Sequence, residues 1–378
     1  MGIRPASTAM LWRLVSFEEV GKARWNELVA RSERPTVFQT FGWLTSWWET
    51  FKDPSWELLL IAATAGDSLV GLAPLYLKPL TLEGRGGREI RFIGEGHGDY
   101  LTLILDRDRE GLVELFVEGI LRHVKGATRA VLREIPAETE LAHYLRARSS
   151  KITSRIRLVG EMICPRLCLA DNDHRLNVIF KKEGSKTRAA KLYKQLGKLG
   201  EITVEHYKDA GQILPLIGDF FQQHIVRWSV TQYPSLFLNP RNCSFYERFL
   251  VDLAPDGLVL FSALRLNGRP VAFHLGLASF GDFLYYKPTF DISFAKSSPG
   301  EVLLRELIEM CASQGFEYFD FTRGDEAYKR IFSSEYHTNL SFMVHRSAIG
   351  GMVSRTGRAT KEIIKNRLFN FGLGLDAP

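Results

Sequence analysis

Apolar residues recur along this chain with two periods, and the alternation between them lays out its elements. Val302, Leu303, Leu304, Leu307, Ile308 and Cys311 share one face at helical spacing. The same period predicts helices over Phe17–Arg31, Gly42–Phe51, Glu110–Val124, Ile213–Trp228 and Phe245–Leu253, with two helical stretches inside Arg175–Gly200. Shorter apolar runs predict strands at Ile90–Ile93, Asp99–Leu105, Arg129–Glu134, Glu201–His206, Phe283–Lys287, Phe316–Phe321 and Thr338–His345. Two further runs are hairpins. Leu58–Leu77 turns at Ala65-Gly66-Asp67, and Leu258–Ala278 turns at Asn267-Gly268, a strong type I′ pair. Helices interleaved with strands predict an α/β class, with a mixed sheet.

The two hairpins invite comparison: LLLIAATAGDSLVGLAPLYL and LVLFSALRLNGRPVAFHLGL each set a tight turn between apolar strands. A small-residue step, Val70-Gly71 or Val271-Ala272, follows each turn. They lie about two hundred residues apart, which predicts a duplicated unit. A length of 378 residues accommodates two domains at ~150 residues each. Residues 146–157 are rich in Arg, Ser and Lys, so the boundary is expected between there and Asp173. The reading is a domain over 1–160, a second over 170–348 and a basic tail over 349–378.

Composition adds little to the fold and something to the partners. Hydrophobic residues at 45% and charged residues at 24% are ordinary for a globular chain with a large core. Cys164, Cys168, Cys243 and Cys311 form neither a disulfide framework nor a metal-ligand spacing, so no metal is expected. No signal-peptide core and no membrane-spanning run occurs, and a cytoplasmic location is expected. The net charge of +6 suits an anionic ligand, whether phosphate groups, nucleic acid or a membrane face. Lys181, Lys182, Lys186, Arg188, Lys191, Lys194 and Lys198 accompany one acid, Glu183, in a segment that reads as a solvated helix face or as a tRNA or membrane-headgroup contact. The tail carries basic residues beside Ile363, Ile364 and Leu368, a pattern for peripheral membrane contact.

Candidate chemistry concentrates between Leu284 and Phe332. Ser298 is a plausible N-cap, Pro299 fits the first helical position, and Glu301 completes a capping box. With Gly300 they place backbone N–H groups and a helix dipole after a strand, the arrangement of an anion site. Lys296, Arg323 and Lys329 are the cations available to hold phosphates. Candidate bases are Asp320, Asp325 and Glu326, with His274 on the neighbouring hairpin. Asp325 and Glu326 also read as plain helix support, through i,i+4 pairs with Lys329 and Arg330. His274, between Phe273 and Leu275, reads equally as a hydrogen-bonded core histidine. In the first half, His97 and Asp99 lie in the glycine-rich loop GEGHGDYL and are candidate acceptor contacts, as is Tyr286 in the second. Trp43, Trp47 and Trp48 read as core, with a sugar-stacking role as the other possibility.

The SPGEVLL helix start, the FDFTRGDEAYKRIF block and the hairpin LRLNGRPVAFHLGLA with its YY strand resemble the GNAT acyltransferase superfamily, in its FemAB-like branch. Bacterial members of that branch are associated with cellulose or exopolysaccharide biosynthesis. The resemblance spans roughly 175–345, with weaker likeness at FQTFGWLTSWWETF and GHGDYLTLIL. It implies two tandem GNAT-like domains, the first degenerate, acetyl-CoA or another acyl-CoA as donor, and direct attack on the thioester. It also implies that Tyr328 protonates the departing thiolate. Where ordinary members carry Q/R-x-x-G-x-G/A, this chain has Lys296-Ser297-Ser298-Pro299-Gly300. In the Fem peptidyltransferases the donor is an aminoacyl-tRNA. The readings are therefore an acyl-CoA transferase acting on an amine or hydroxyl of a small molecule or envelope precursor, an aminoacyl-tRNA-dependent peptidyltransferase, or an inactive binding module.

Overall fold

The computed structural model describes residues 10–80, 87–123, 127–149, 155–169 and 185–345. They divide into a first unit, up to Glu161 and again from Asn339, and a second unit from Met162 to Thr338. The basic tail, 349–378, and the first part of the basic segment at 181–184 lie outside the described residues.

The first unit opens with strand β1 (Met10–Leu14) and helices α1 (Phe17–Val20), α2 (Lys22–Ala30) and α3 (Phe41–Phe51). Ser16 starts α1 by accepting the Glu19 N–H on its hydroxyl, as an N-cap does. Strands β2 (Glu57–Ala65), β3 (Ser68–Pro79) and β4 (Arg88–Phe92) follow, then the short β5 (Ile104–Leu105) beside β3. Helix α4 (Leu112–His123), strand β6 (Ala127–Pro136) and helix α5 (Glu140–Ser149) complete the run, and strand β7 (Ile156–Cys168) crosses into the second unit. β1, β2, β3 and β4 pair antiparallel in that order, and β4 pairs parallel with β6. Trp43, Trp47 and Trp48 are all buried, so the aromatic run of α3 is core. Burying such rings removes large apolar areas from water, each contributing several kcal/mol at about 25 cal/mol per Å².

The second unit holds α6 (Ser185–Gly197), β8 (Ile202–Tyr207), α7 (Ala210–Ser229) and α8 (Pro240–Leu253). A meander follows: β9 (Val259–Leu266), β10 (Arg269–Ser279) and β11 (Asp282–Phe290). Helix α9 (Pro299–Ser313), strand β12 (Tyr318–Asp320), helix α10 (Ala327–Phe332) and strand β13 (Glu335–His345) end the described chain. β8, β9, β10 and β11 pair antiparallel, β11 pairs parallel with β12, and β12 pairs antiparallel with β7. In the first unit the corresponding last partner is β13, antiparallel to β6 over Asn339–His345. The two units therefore share one sequence of pairings: three antiparallel, one parallel, one antiparallel. That is a duplicated fold.

Several elements differ from the sequence reading, for physical reasons. No strand was expected over Ile156–Cys168, where β7 lies, because its apolar residues alternate only partly with polar ones. Arg166 on β7 is nonetheless anchored, with its guanidinium 3.8 Å over the Tyr318 ring and 2.8 Å from Glu335. Of the strand expected at Asp99–Leu105, only Ile104–Leu105 is one. Leu101 instead bonds once to the Glu134 carbonyl at 2.8 Å, and the segment is packed without a ladder. Helix α8 begins at Pro240 because Asn239 caps it, accepting the Arg241 N–H at 3.0 Å.

Candidate active site

Strands β11 and β12 pair over three residues only: Asp282 with Tyr318, Phe283 with Phe319 and Leu284 with Asp320. Beyond that point β11 continues beside β10 to Phe290. The chain after Asp320 follows β7 instead, with Phe321 N–H donating to Pro165 O and Gly324 N–H to Ile163 O, both at 2.9 Å. Asp320 drives the departure: its Oδ1 accepts the Thr322 N–H at 2.7 Å, and Thr322 takes a left-handed φ of 58°. A gap in the backbone ladder thus opens between Tyr285–Phe290 and residues 321–326, with the Tyr285 and Phe321 rings 5.9 Å apart across it. Asp320 itself is buried and turned into this local bend.

Tyr328, on α10, packs against the first residue beyond the parting, with its ring 6.5 Å from that of Phe321. Burial holds its phenol well above the ordinary tyrosine range, the neighbouring Tyr285 and Glu326 add to this, and Arg227 opposes it. The phenol is a proton donor at any physiological pH. Glu326 is buried, with one carboxylate oxygen 2.9 Å from the Lys329 ammonium. That contact has the distance of an ion pair without hydrogen-bond alignment, and the other oxygen has no hydrogen-bond partner among the described residues. Lys329 spends a donor on the Arg323 carbonyl at 2.8 Å, so its ammonium is turned inward. Asp325 is exposed and pairs with Arg330, which lowers its pKa. The charge pairs here are thus Asp325 with Arg330 and Glu326 with Lys329, where helical spacing pointed to i,i+4 partners. The reason is that Asp325 and Glu326 precede the first helical turn.

His274 is fully buried, with neither ring nitrogen hydrogen-bonded among the described residues. It stacks on Tyr285 at 4.3 Å, and burial pushes its pKa down to about 3. A neutral imidazole in an apolar layer is core, and the hydrogen bond expected of it is absent.

At the other end of the gap stands the start of α9. Ser298 is the N-cap residue and Pro299 the first helical one, but Ser298 is left-handed (φ 50°) and its hydroxyl caps nothing. The expected capping box is not formed: its acid, Glu301, pairs with Arg188 at 2.9 Å and with Arg305 at 2.8 Å. The amides of Glu301 and Val302 bond the Ser298 carbonyl, and Pro299 has none to offer. Among the described residues the Gly300 N–H has no hydrogen-bond partner, and a Cβ there would meet Phe290 Cδ1 at 3.1 Å. Helix α6 runs alongside, with Gln195 donating to the Lys296 carbonyl at 2.8 Å. Leu192 and Leu196 bury its apolar stripe, while Lys191, Lys194 and Lys198 are exposed, as is Lys296. Arg323 is buried near α10.

The remaining candidates lie elsewhere. Tyr286 is buried, its ring stacked on Tyr246 and its hydroxyl accepting the Tyr246 O–H at 3.2 Å. His97 accepts the Trp47 indole N–H at 3.1 Å and stacks on Phe51 at 4.6 Å, inside the first unit. Asp99, also in the first unit, is buried, and its carbonyl accepts from Asn339 at 2.6 Å. A small apolar pocket among the described residues also belongs to the first unit, between β4, β6 and its helices. Leu75, Ile90, Phe92, Val117, Leu132 and Leu141 are among its lining residues, and none of them is titratable. It is an apolar void at the first unit's counterpart of the gap, and it carries no acid–base chemistry. Sequence reasoning missed Arg227 on α7 and Tyr285 on β11, both of which bear on Tyr328. Both sit in runs that read as plain core.

Residues 185–330 match the family model described as Acetyltransferase (GNAT) domain. Every element of the gap lies within that match or at its edge. No curated protein matches the chain in sequence. Among solved structures, FemX is similar with a TM-score of 0.55 and 12% identity, over 87% of this chain and 96% of that one. The DUF2156 C-terminal domain of an Agrobacterium fabrum protein, provisionally assigned as a lysylphosphatidylglycerol synthetase, is similar at 0.53 and 13%, over 96% and 99%. A conserved protein of unknown function from Bacteroides thetaiotaomicron VPI-5482 is similar at 0.54 and 10%, over 89% and 100%. At such identities the likeness is one of fold. The second unit has the GNAT fold, and the repeated strand order makes the first unit a second GNAT-like domain.

Proposed function

We propose that the protein is an acyltransferase that moves an acyl group from a thioester, acetyl-CoA or another acyl-CoA, to an amine or hydroxyl acceptor. The observation that carries this reading is the parted pair β11 and β12, with a protonated tyrosine beside the opening, inside the segment that matches the acetyltransferase model. In the gap the acyl carbonyl would take the place of the missing strand partner, along the unpaired edge of β11. The acceptor nitrogen or oxygen attacks that carbonyl carbon, the carbon–sulfur bond breaks, and Tyr328 gives its proton to the sulfur. The acceptor's own proton goes to Glu326, whose free carboxylate oxygen is available and whose charge already acts on Tyr328. Passing that proton on to Tyr328 restores both groups, so protons balance. A lysine-like amine with a pKa near 10.4 costs about 4–5 kcal/mol to neutralise at pH 7, which is what a base here would offset. The acceptor proposed is a small molecule or an envelope or exopolysaccharide precursor.

A second reading, aminoacyl transfer from a charged tRNA, is favoured by the donor end. Among the described residues the first turn of α9 offers one open amide, at Gly300, where a pyrophosphate would use several. The exposed lysines of α6 lie beside it and suit a polyanion. Calorimetric titration separates the two. Saturable acetyl-CoA binding supports the first. Binding of aminoacyl-tRNA alone, falling steeply with salt and lost on charge reversal at Lys191 and Lys194, supports the second. Binding of neither removes both.

A further inference from the structure

Helix α7 ends in a cation that the transfer steps leave unused. Arg227 is 9% exposed. One of its N–H groups donates to the Pro288 carbonyl at 3.1 Å, and its guanidinium lies 4.6 Å from the Phe290 ring centre and 5.8 Å from that of Trp228. No Asp or Glu among the described residues pairs with it; the carboxylate acting on Tyr328, Glu326, is held by Lys329. Taking a guanidinium out of water is costly, and one carbonyl and two ring faces recover only part of that cost. The remaining N–H donors form a planar fork that fits an oxyanion at two points.

The position says which oxyanion. Pro288 and Phe290 belong to the half of β11 that has left β12, and Arg227 acts on both Tyr328 and Tyr285. Lys287, buried on the same half-strand, adds positive charge, since it and Arg227 both bear on His224. The part of an acyl-CoA that reaches a leaving-group acid is its uncharged thioester, with its phosphates at the far end. Resting on the acyltransferase reading, we propose that Arg227 anchors an anion-recognition site beside Tyr328 and takes a carboxylate or phosphate group of the acceptor. The acceptor would then be an amine or alcohol that carries an anionic group a few bonds from its nucleophile.

Inorganic phosphate and sodium acetate, titrated separately into the full-length protein at constant ionic strength with chloride as reference, test this directly. Intrinsic tryptophan fluorescence, to which Trp228 contributes, and the melting temperature are the readouts, and the two anions distinguish phosphate from carboxylate recognition. At least one anion is expected to saturate and to raise the melting temperature. Arg227→Gln is expected to weaken it by about tenfold to a hundredfold, and Arg227→Lys by less. Arg227→Met, which removes the buried charge, is expected to melt no lower than the wild type, so a folded variant is available. Acetyl-CoA is titrated alongside, and its affinity should survive Arg227→Gln. Anions no better than chloride, or anion binding that persists in Arg227→Gln, overturn the site. Loss of anion and acetyl-CoA affinity together assigns Arg227 to the donor and overturns the acceptor assignment. An intact anion response without any acetyl-CoA binding counts against the acyl-CoA reading and leaves the site standing.

Discussion

Tyr328 keeps its proton because burial, Tyr285 and Glu326 all disfavour a phenolate, with Arg227 alone opposing them. A group so biased can give a proton to a thiolate and recover it without being ionised at rest. Tyr328→Phe is therefore expected to lower kcat by about 10²–10⁴-fold, with KM and melting temperature little changed. Steady-state kinetics and a thermal melt check both halves of that statement, and an unchanged kcat removes Tyr328 from the mechanism. The same bias means that no alkaline loss of rate below about pH 10 should trace to this phenol. His274 works in the opposite sense. Its folded pKa, down to about 3, is depressed from 6.5, so in that window the unfolded chain binds a proton that the native one refuses. Stability from this site is present above pH 6.5 and is lost as the pH falls toward 3. His274→Phe should gain on the wild type by on the order of 1 kcal/mol per pH unit below 6. Urea unfolding at pH 7 and pH 5 measures it, and equal pH slopes in the two proteins would reject the assignment.

Two turns show how an element's end is decided by its neighbours. At Asn267-Gly268 the local turn chemistry holds, with φ positive at both residues, at 50° and 78°, and a distant contact adds to it, as Asn267 accepts the Glu201 N–H at 2.9 Å. Asn267→Ala loses that bond and strains the left-handed backbone, with an expected cost of about 1–2 kcal/mol in denaturant unfolding. At Ser298 local chemistry misleads. The motif for a capping box is present, yet the preceding turn at Ile292–Ser297 delivers Ser298 left-handed and draws Glu301 to two arginines. The helix start was legible; its hydrogen bonds were not, because they depend on α6. Gly300→Trp places an indole where even a Cβ would crowd Phe290. It is expected to abolish donor binding in calorimetry while far-UV circular dichroism stays unchanged, and retained binding would move the donor away from α9.

Each unit completes its sheet with a strand from a distant part of the chain. β7, at Arg166–Cys168, closes the second unit against β12, and β13, from Asn339, closes the first against β6. A fragment starting at Ala170 keeps the candidate residues from His274 to Lys329 but leaves β12 without its antiparallel partner and Phe321 without the Pro165 carbonyl. It is expected to melt non-cooperatively or to aggregate, as exposed edges do. A fragment starting at Met162 should fold better, and equal melts for the two would show that β7 is dispensable.

The residues by themselves determined the periodic elements, the two hairpins and their duplication, and the segment that holds the gap, because each is written in local spacing and turn chemistry. The Ser298–Gly300 helix start was readable on the same basis, whereas Tyr328 was singled out by the family resemblance. Only the tertiary structure decided that β12 pairs for three residues and then leaves β11. It alone decided that Glu326 goes to Lys329, and that Arg227, about a hundred residues from Tyr328 in sequence, comes to act on it. Those outcomes depend on pairings and burial between residues far apart in sequence. No local pattern encodes them, since the free energy that selects them arises only when the packed layers meet.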